Sequence, residues 1–177
     1  MKALLLLLPI MALSCFSSVD IHVKNNTYIP RPNKMLIGYF EKRNLSFNPF
    51  ISKDFRDALQ FEFFKRGFAI ELLVMEKPSP QNEHPEEPTG LEAVEIKKYL
   101  GKQSADLFIQ GTLSERTFGD ALKTETSCFV LISLHTSDGE KVCEARYMTS
   151  DTLANSEIVV KIASTMAEKI SARFSGR

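Results

Sequence analysis

The chain has 177 residues, 44% of them hydrophobic and 25% charged, enough apolar material for one globular domain and little more. Its 22 basic residues balance its 22 acidic ones. No basic block stands out, so bulk charge gives no support to a nucleic-acid-binding surface.

Residues 1–14 read as a targeting signal. Lys2 is the charged start and Ala3–Leu13 an apolar run, too short for a bilayer, which takes about 20 residues. The end, Ala12-Leu13-Ser14-Cys15, has two readings. Small residues at Ala12 and Ser14 suit ordinary signal cleavage. The cysteine resembles a lipobox, in which the Cys15 thiol is diacylated and becomes the new N-terminus of a bacterial lipoprotein. More than one acyl chain makes such an anchor stable. Phe16 follows; the absence of an aspartate there points, by resemblance to such lipoproteins, to the outer membrane.

Residues 15–34 read as the lipidated N-terminus and a polar tether, interrupted by Pro30 and Pro32 and able to reach roughly 65 Å at full extension. Within it, Ile21-His22-Val23 has the pattern of an edge strand. The globular domain is expected over 35–177. Its first strand is Met35–Phe40, with Gly38 a bulge or close-contact point. A helix follows from Ser52, its expected N-cap, to Arg66, burying Phe55, Leu59 and Phe63. Gly67 supplies the left-handed residue that ends it. Phe68–Met75, FAIELLVM, is a near-continuous apolar strand, completing a parallel βαβ unit.

Residues 77–89, KPSPQNEHPEEPT, carry four prolines and three glutamates and read as an exposed loop. It is the candidate partner-binding segment, with Pro78, Pro80, Glu83, His84, Glu86 and Glu87 as its candidate contacts. Thr89 and Glu92 form a T-x-x-E capping box for a helix to Leu100, with Leu91, Val94 and Leu100 facing inward and Gly101 near its end. Asp106–Ser114 is a third strand, followed by a polar connection over Glu115–Thr124.

Cys128–Met148 then reads as a β-hairpin turning at Asp138-Gly139. Pairing Ser137 with Glu140 sets Leu134 opposite Cys143, Ile132 opposite Ala145 and Val130 opposite Tyr147, leaving one apolar face. That register keeps Cys128 and Cys143 roughly 20 Å apart, beyond the ~7 Å limit for a disulfide, so both are expected as buried free thiols. His135 reads as a surface side chain. A closing helix over Asn155–Arg173 carries an apolar stripe of Ile158, Ile162, Met166, Ile170 and Phe174. The fold class is therefore α/β (α+β): a mixed sheet with a parallel start and an antiparallel hairpin, packed by about three helices.

Histidines stand only at 22, 84 and 135, and no metal-ligand spacing, nucleophile elbow or glycine-rich phosphate loop is present. No metal, cofactor or nucleic acid is expected, and the chain reads as a non-enzyme.

Three stretches carry a family resemblance. LIGYFEKRNLS (36–46) resembles the first strand and loop of TolB amino-terminal-like domains. LQFEFFKRGFAIEL (59–72) is similar to their helix end and second strand, and SADLFIQGTLSE (104–115) to a further strand in which Ser104 replaces the usual glycine. Relatives with this domain include TolB, the curli-export pore CsgG, the peptidoglycan-synthase activator LpoB and the flagellar lipoprotein FlgO. The resemblance implies an outer-membrane lipoprotein whose domain binds or assembles with envelope proteins of flagellar or peptidoglycan-synthesis machinery, or with itself, on the periplasmic side. Exposure at the cell surface, binding host or extracellular ligands, is the alternative.

Overall fold

The computed structural model describes residues 17–24, 29–43, 50–74, 90–119 and 124–175. The strands are β1 (Ser17–Val23), β2 (Ile29–Pro30), β3 (Lys34–Arg43), β4 (Ala69–Leu72), β5 (Leu107–Gly119), β6 (Thr124–Thr136), β7 (Lys141–Thr149) and β8 (Phe174–Ser175). The helices are α1 (Ile51–Lys65), α2 (Ala93–Gln103) and α3 (Ser156–Ser171). Six strands form one sheet in the order β1-β7-β6-β5-β3-β4, while β2 and β8 make a separate parallel pair. β3 is parallel to both β4 and β5; the β5–β6–β7–β1 half is antiparallel. The mixed sheet with a parallel start and antiparallel hairpin is thus the architecture present.

Alternation along each strand divides the core between the two faces. On the first face, Met35, Ile37, Ile109, Val130, Ile132, Leu134 and Ala145 pack with Phe55, Leu59 and Phe63 of α1 and Ile162, Met166 and Ile170 of α3. On the second, Leu36 and Phe108 pack with Ile96 and Leu100 of α2. At the crowded centre, β3 slips register between Ile37 and Phe40. Gly38 sits in that irregularity because a Cβ there would stand 2.8 Å from Cε1 of Phe108. The glycine is a close-contact point, as its place in the strand predicted.

Away from the turn the hairpin register is the one expected, Leu134 facing Cys143, Ile132 facing Ala145 and Val130 facing Tyr147. At the turn a shift between Leu134 and His135 puts Thr136 rather than Ser137 opposite Glu140, with the Thr136 N–H donating to the Glu140 carbonyl at 2.9 Å. Cys128 and Cys143 are free and buried. Gly67, at φ 78°, supplies the left-handed turn after α1.

Other elements differ from expectation for identifiable reasons. Seven residues of the supposed tether form β1, paired along its whole length with β7. Val19, Ile21 and Val23 lie towards the core while Ser18, Asp20 and His22 are exposed. Ser52 does not cap α1: Phe50 occupies the cap, and the Ser52 hydroxyl donates to the Phe40 carbonyl at 2.9 Å, tying the helix start to β3. The FAIELLVM strand is four residues long and stands at the sheet edge among the described residues, with the Leu73 N–H beyond it still donating to the Ile37 carbonyl at 2.7 Å; Met75 lies outside the described residues. Thr89 lies outside the described residues; the capping box is formed by Glu92 and Glu95, one turn further on. Ile96 and Leu100, four residues apart, form the inward face of α2, and Val94 stands 78% exposed. Gly101 lies within the helix, and Ser104 makes the left-handed exit at φ 50° and ψ 47°. β5 runs on through Gly119, converting much of the supposed polar connection into strand. Phe174 belongs to β8 rather than to the closing helix.

A buried polar clamp joins α1 to α3. The Glu62 carboxylate accepts from Arg66 Nη1 at 2.6 Å, Lys65 Nζ at 2.9 Å and the Ser164 hydroxyl at 3.0 Å. Arg66 Nη2 reaches on to the Ser164 carbonyl at 3.2 Å. Burial alone would raise the Glu62 pKa; the hydrogen bonds from Arg66, Lys65 and Ser164 outweigh it and bring it down to about 2.

Candidate functional site

Cys15 and the proline-loop residues Pro78, Pro80, Glu83, His84, Glu86 and Glu87 lie outside the described residues. What the structure places in view is the second face of the sheet, which α2 covers only in part. Its N-terminal end sits on the β6–β7 turn, where a Cβ on Gly139 would stand 3.0 Å from the Ala93 carbonyl carbon. Its C-terminal end reaches the start of β3, where the Gln103 carbonyl accepts from Lys34 Nζ at 2.9 Å. Helix α2 therefore lies across one end of the sheet.

The border of that covered zone is hydrogen-bonded. The Gln110 side chain accepts from the Leu91 N–H at 2.8 Å and donates to the Leu91 carbonyl at 3.1 Å. Its Nε2 stands 3.4 Å from His135 Nε2, and His135 Nδ1 lies 3.3 Å from the Gly139 carbonyl. Burial pushes the His135 pKa down, against the carbonyl contact, which raises it. The neutral ring with its proton on Nδ1 satisfies both contacts. His135, expected as a surface side chain, is half-buried in a structural link. A period-two count places it on this face; the reach of Gln110 is a tertiary fact the sequence does not state.

Beyond that border, residues brought level by the strand registers form two cross-strand rows. One runs Ser18–Met148–Phe129–Ser114 and the next Asp20–Arg146–Leu131–Thr112. Phe129 and Leu131 are half-buried, Met148 is 50% exposed, and Asp20 and Arg146 are exposed. Among the described residues no element packs over this patch. Towards the β1 edge it runs into an open groove of about 610 Å³ lined by Asp20, His22, Lys24, Lys141, Glu144 and Arg146 among others. Glu144 holds both Lys141, at 2.7 Å, and Arg146, at 2.5 Å, and Lys24 pairs with Glu140. Hydrogen bonding from Lys141 is the largest influence on the Glu144 pKa, and with Arg146 it outweighs burial and lowers it. The result is a small apolar centre rimmed by charges of both signs.

On the opposite, first face, the same end of the sheet is held by a buried carboxylate. Glu115 Oε2 accepts from the Leu153 N–H at 3.0 Å, the Thr152 hydroxyl at 3.2 Å and the Cys128 thiol at 3.1 Å. These bonds fasten the β7–α3 connection to the β5–β6 hairpin. Burial first, and then the Glu115 carboxylate, push the Cys128 thiol up to about 12, so it is no nucleophile here. Among the described residues no cluster of three or more histidine, cysteine or acidic side chains is placed to hold a metal ion. Nor is any described helix long and apolar enough to cross a membrane.

No protein-family model matches the chain. No curated protein matches it either. Among solved structures, the chain is similar to the PelC dodecamer from Paraburkholderia phytofirmans, with a TM-score of 0.59 and 12% identity over 92% of this chain and 99% of that one. A point variant of the same dodecamer gives 0.58 and 12%, over 92% and 100%. The lipoprotein GNA1162 from Neisseria meningitidis aligns more loosely, at 0.44 and 15%, over 78% of this chain and 98% of that one. At this level of identity, what the chain shares with PelC is its fold.

Proposed function

We propose that this chain is a non-enzymatic lipoprotein of the bacterial envelope, anchored in the outer membrane through Cys15, whose domain is a protein-binding or assembly module on the periplasmic side. The observation that carries the reading is the half-covered second face of the sheet. Phe129, Leu131 and Met148 form its apolar centre, with Asp20 and Arg146 beside them. An apolar centre within a polar rim is the composition of a protein interface. The shared fold supports it, since PelC was solved as a dodecamer. So does the resemblance of residues 36–46, 59–72 and 104–115 to TolB amino-terminal-like domains, although fold and motif are weaker warrants than the surface itself. The partner is a second copy of the chain or an envelope protein, the FlgO-like role being the nearest match among the relatives.

The test is the mass of the full-length chain in mild detergent, by light scattering, together with cross-linking in intact envelopes. The expected result is a particle larger than one chain or a discrete cross-linked partner, lost in Leu131→Arg while the far-ultraviolet spectrum and melting cooperativity persist. A monomer with no cross-linked partner, or a Leu131→Arg protein that associates as before, overturns the reading.

A further inference from the structure

Strand β1 is an open edge. It pairs with β7 along its whole length, and among the described residues no strand lies beyond it. Soluble proteins guard such edges with shortness, a bulge, a proline or an inward-pointing charge. The other edge, β4, is only four residues long. β1 has none of these guards: its seven residues keep one unbroken register and include no proline. Val19, Ile21 and Val23 lie on its core side, Val19 and Ile21 only half-buried, and Ser18, Asp20 and His22 are exposed on the other.

A second β1 running antiparallel to the first can match it in few registers. Apolar must meet apolar on each face, so the pair must be centred on a residue rather than between two. Centred on Asp20, it sets two carboxylates against each other. Centred on His22, it pairs only residues 20–24. Centred on Ile21, it pairs residues 18–24 throughout: Ile21 meets Ile21, Val19 meets Val23, and Asp20 meets His22. The strand is therefore complementary to itself in one register.

The neighbouring strand extends the match. Within one chain Asp20 stands level with Arg146 of β7, and His22 with Glu144. Across the pair, one row would read Glu144, His22, the second copy's Asp20 and the second copy's Arg146. Acidic side chains alternate along it with nitrogen-bearing ones, and the twofold axis repeats the row in reverse. The rows that cross the second-face patch end on β1, so the pairing sets two such patches side by side on one continuous face.

We infer that β1 pairs antiparallel with the β1 of a second copy, centred on Ile21, joining two six-stranded sheets edge to edge. The inference rests on the proposed assembly function. Seven residues a side fall short of the about 20–30 of a stand-alone interface, so the second-face contacts bring copies together and the β1 edge fixes how they align.

Single introduced cysteines read the register. The two Ile21 positions stand directly opposite, with Cα atoms about 4.5–5.5 Å apart, inside the reach of a disulfide. The two Val19 positions are offset by four residues, roughly 13 Å. Ile21→Cys and Val19→Cys are made in the full-length chain, and envelopes are oxidised with copper phenanthroline; the parent chain gives the background of its own cysteines. Ile21→Cys is expected to form a disulfide-linked pair severalfold faster than Val19→Cys. Because Ile21 packs partly against the core, a second probe uses exposed positions. Differently tagged Asp20→Cys and His22→Cys chains, mixed, should link to each other in preference to themselves. Equal rates at 21 and 19, with no preference in the mixture, overturn the inference. If light scattering then still shows an assembly that Leu131→Arg breaks, the second-face reading stands. A monomeric chain with no cross-linked partner overturns both.

Discussion

Replacing Glu62 by glutamine tests the α1–α3 clamp through its charge. The ordinary carboxyl value of 4.5 falls to about 2 in the folded chain. At ~1.4 kcal/mol per unit, that displacement corresponds to roughly 3 kcal/mol. The Glu62 side chain is only 5% exposed but its Lys65 partner is 52% exposed, so solvent screening lowers the expectation to about 2 kcal/mol. Because the folded value lies below the unfolded one, the contribution is whole above about pH 5 and drains away as the pH falls towards 2. Urea unfolding of the parent and Glu62→Gln chains at neutral and acid pH reads this directly. The variant is expected to be less stable by about 2 kcal/mol at pH 7, with most of the difference gone by about pH 3. A difference of equal size at both pH values would mean that packing, not charge, holds the helices together. No difference at neutral pH would mean that the clamp contributes nothing net.

Three further outcomes follow from local geometry. Gly111→Ala drives a methyl group into the Leu131 carbonyl oxygen and to 2.7 Å from Cε1 of Phe40, so a loss of about 3 kcal/mol or more is expected on chemical denaturation. Ser104→Gly relieves a left-handed serine at φ 50° and should raise stability by about 0.5–1 kcal/mol, seen as a higher melting temperature. Burial pushes the Cys128 thiol to about 12 and the Cys143 thiol to about 11, so neither should react with a thiol-specific reagent at pH 8 until denaturant is added.

Where the local chemistry had one solution, the sequence was readable. The two-residue alternation of Cys128–Leu134 and Cys143–Tyr147 leaves a single register that buries an apolar face, and that register separates the cysteines; the turn itself takes one residue more than the Asp138-Gly139 pattern signals. β1 was only partly legible. Val19, Ile21 and Val23 alternate with Ser18, Asp20 and His22, a true strand signal, but the polar half and the nearby prolines resemble a linker. Its partner, β7, lies far along the chain. FAIELLVM misled in the opposite direction, since continuous apolarity reads as a central strand but here belongs to a short edge. α2 starts about one turn later than expected because Glu92 and Glu95 compose its capping box, an arrangement that the usual Ser/Thr-x-x-Glu pattern does not signal. The second-face patch escaped notice because Phe129 and Leu131 read simply as strand residues. Among the described residues, only the limited span of α2 leaves them without a covering element.

The pairing of β1 with β7 has a consequence for the order of assembly. The first strand to be synthesised cannot find its neighbour until roughly 130 residues later, so this contact has a high loop-closure cost and forms late. During export the prospective anchor emerges ahead of everything it will attach. The remaining strands and all three helices can meet without β1, which docks on a finished β7 as the closing step. As an outermost strand with one neighbour in the sheet, it is also the natural first element to open. Tension applied through an acylated Cys15 would enter the fold at β1 and peel it from β7 before loading the rest of the sheet.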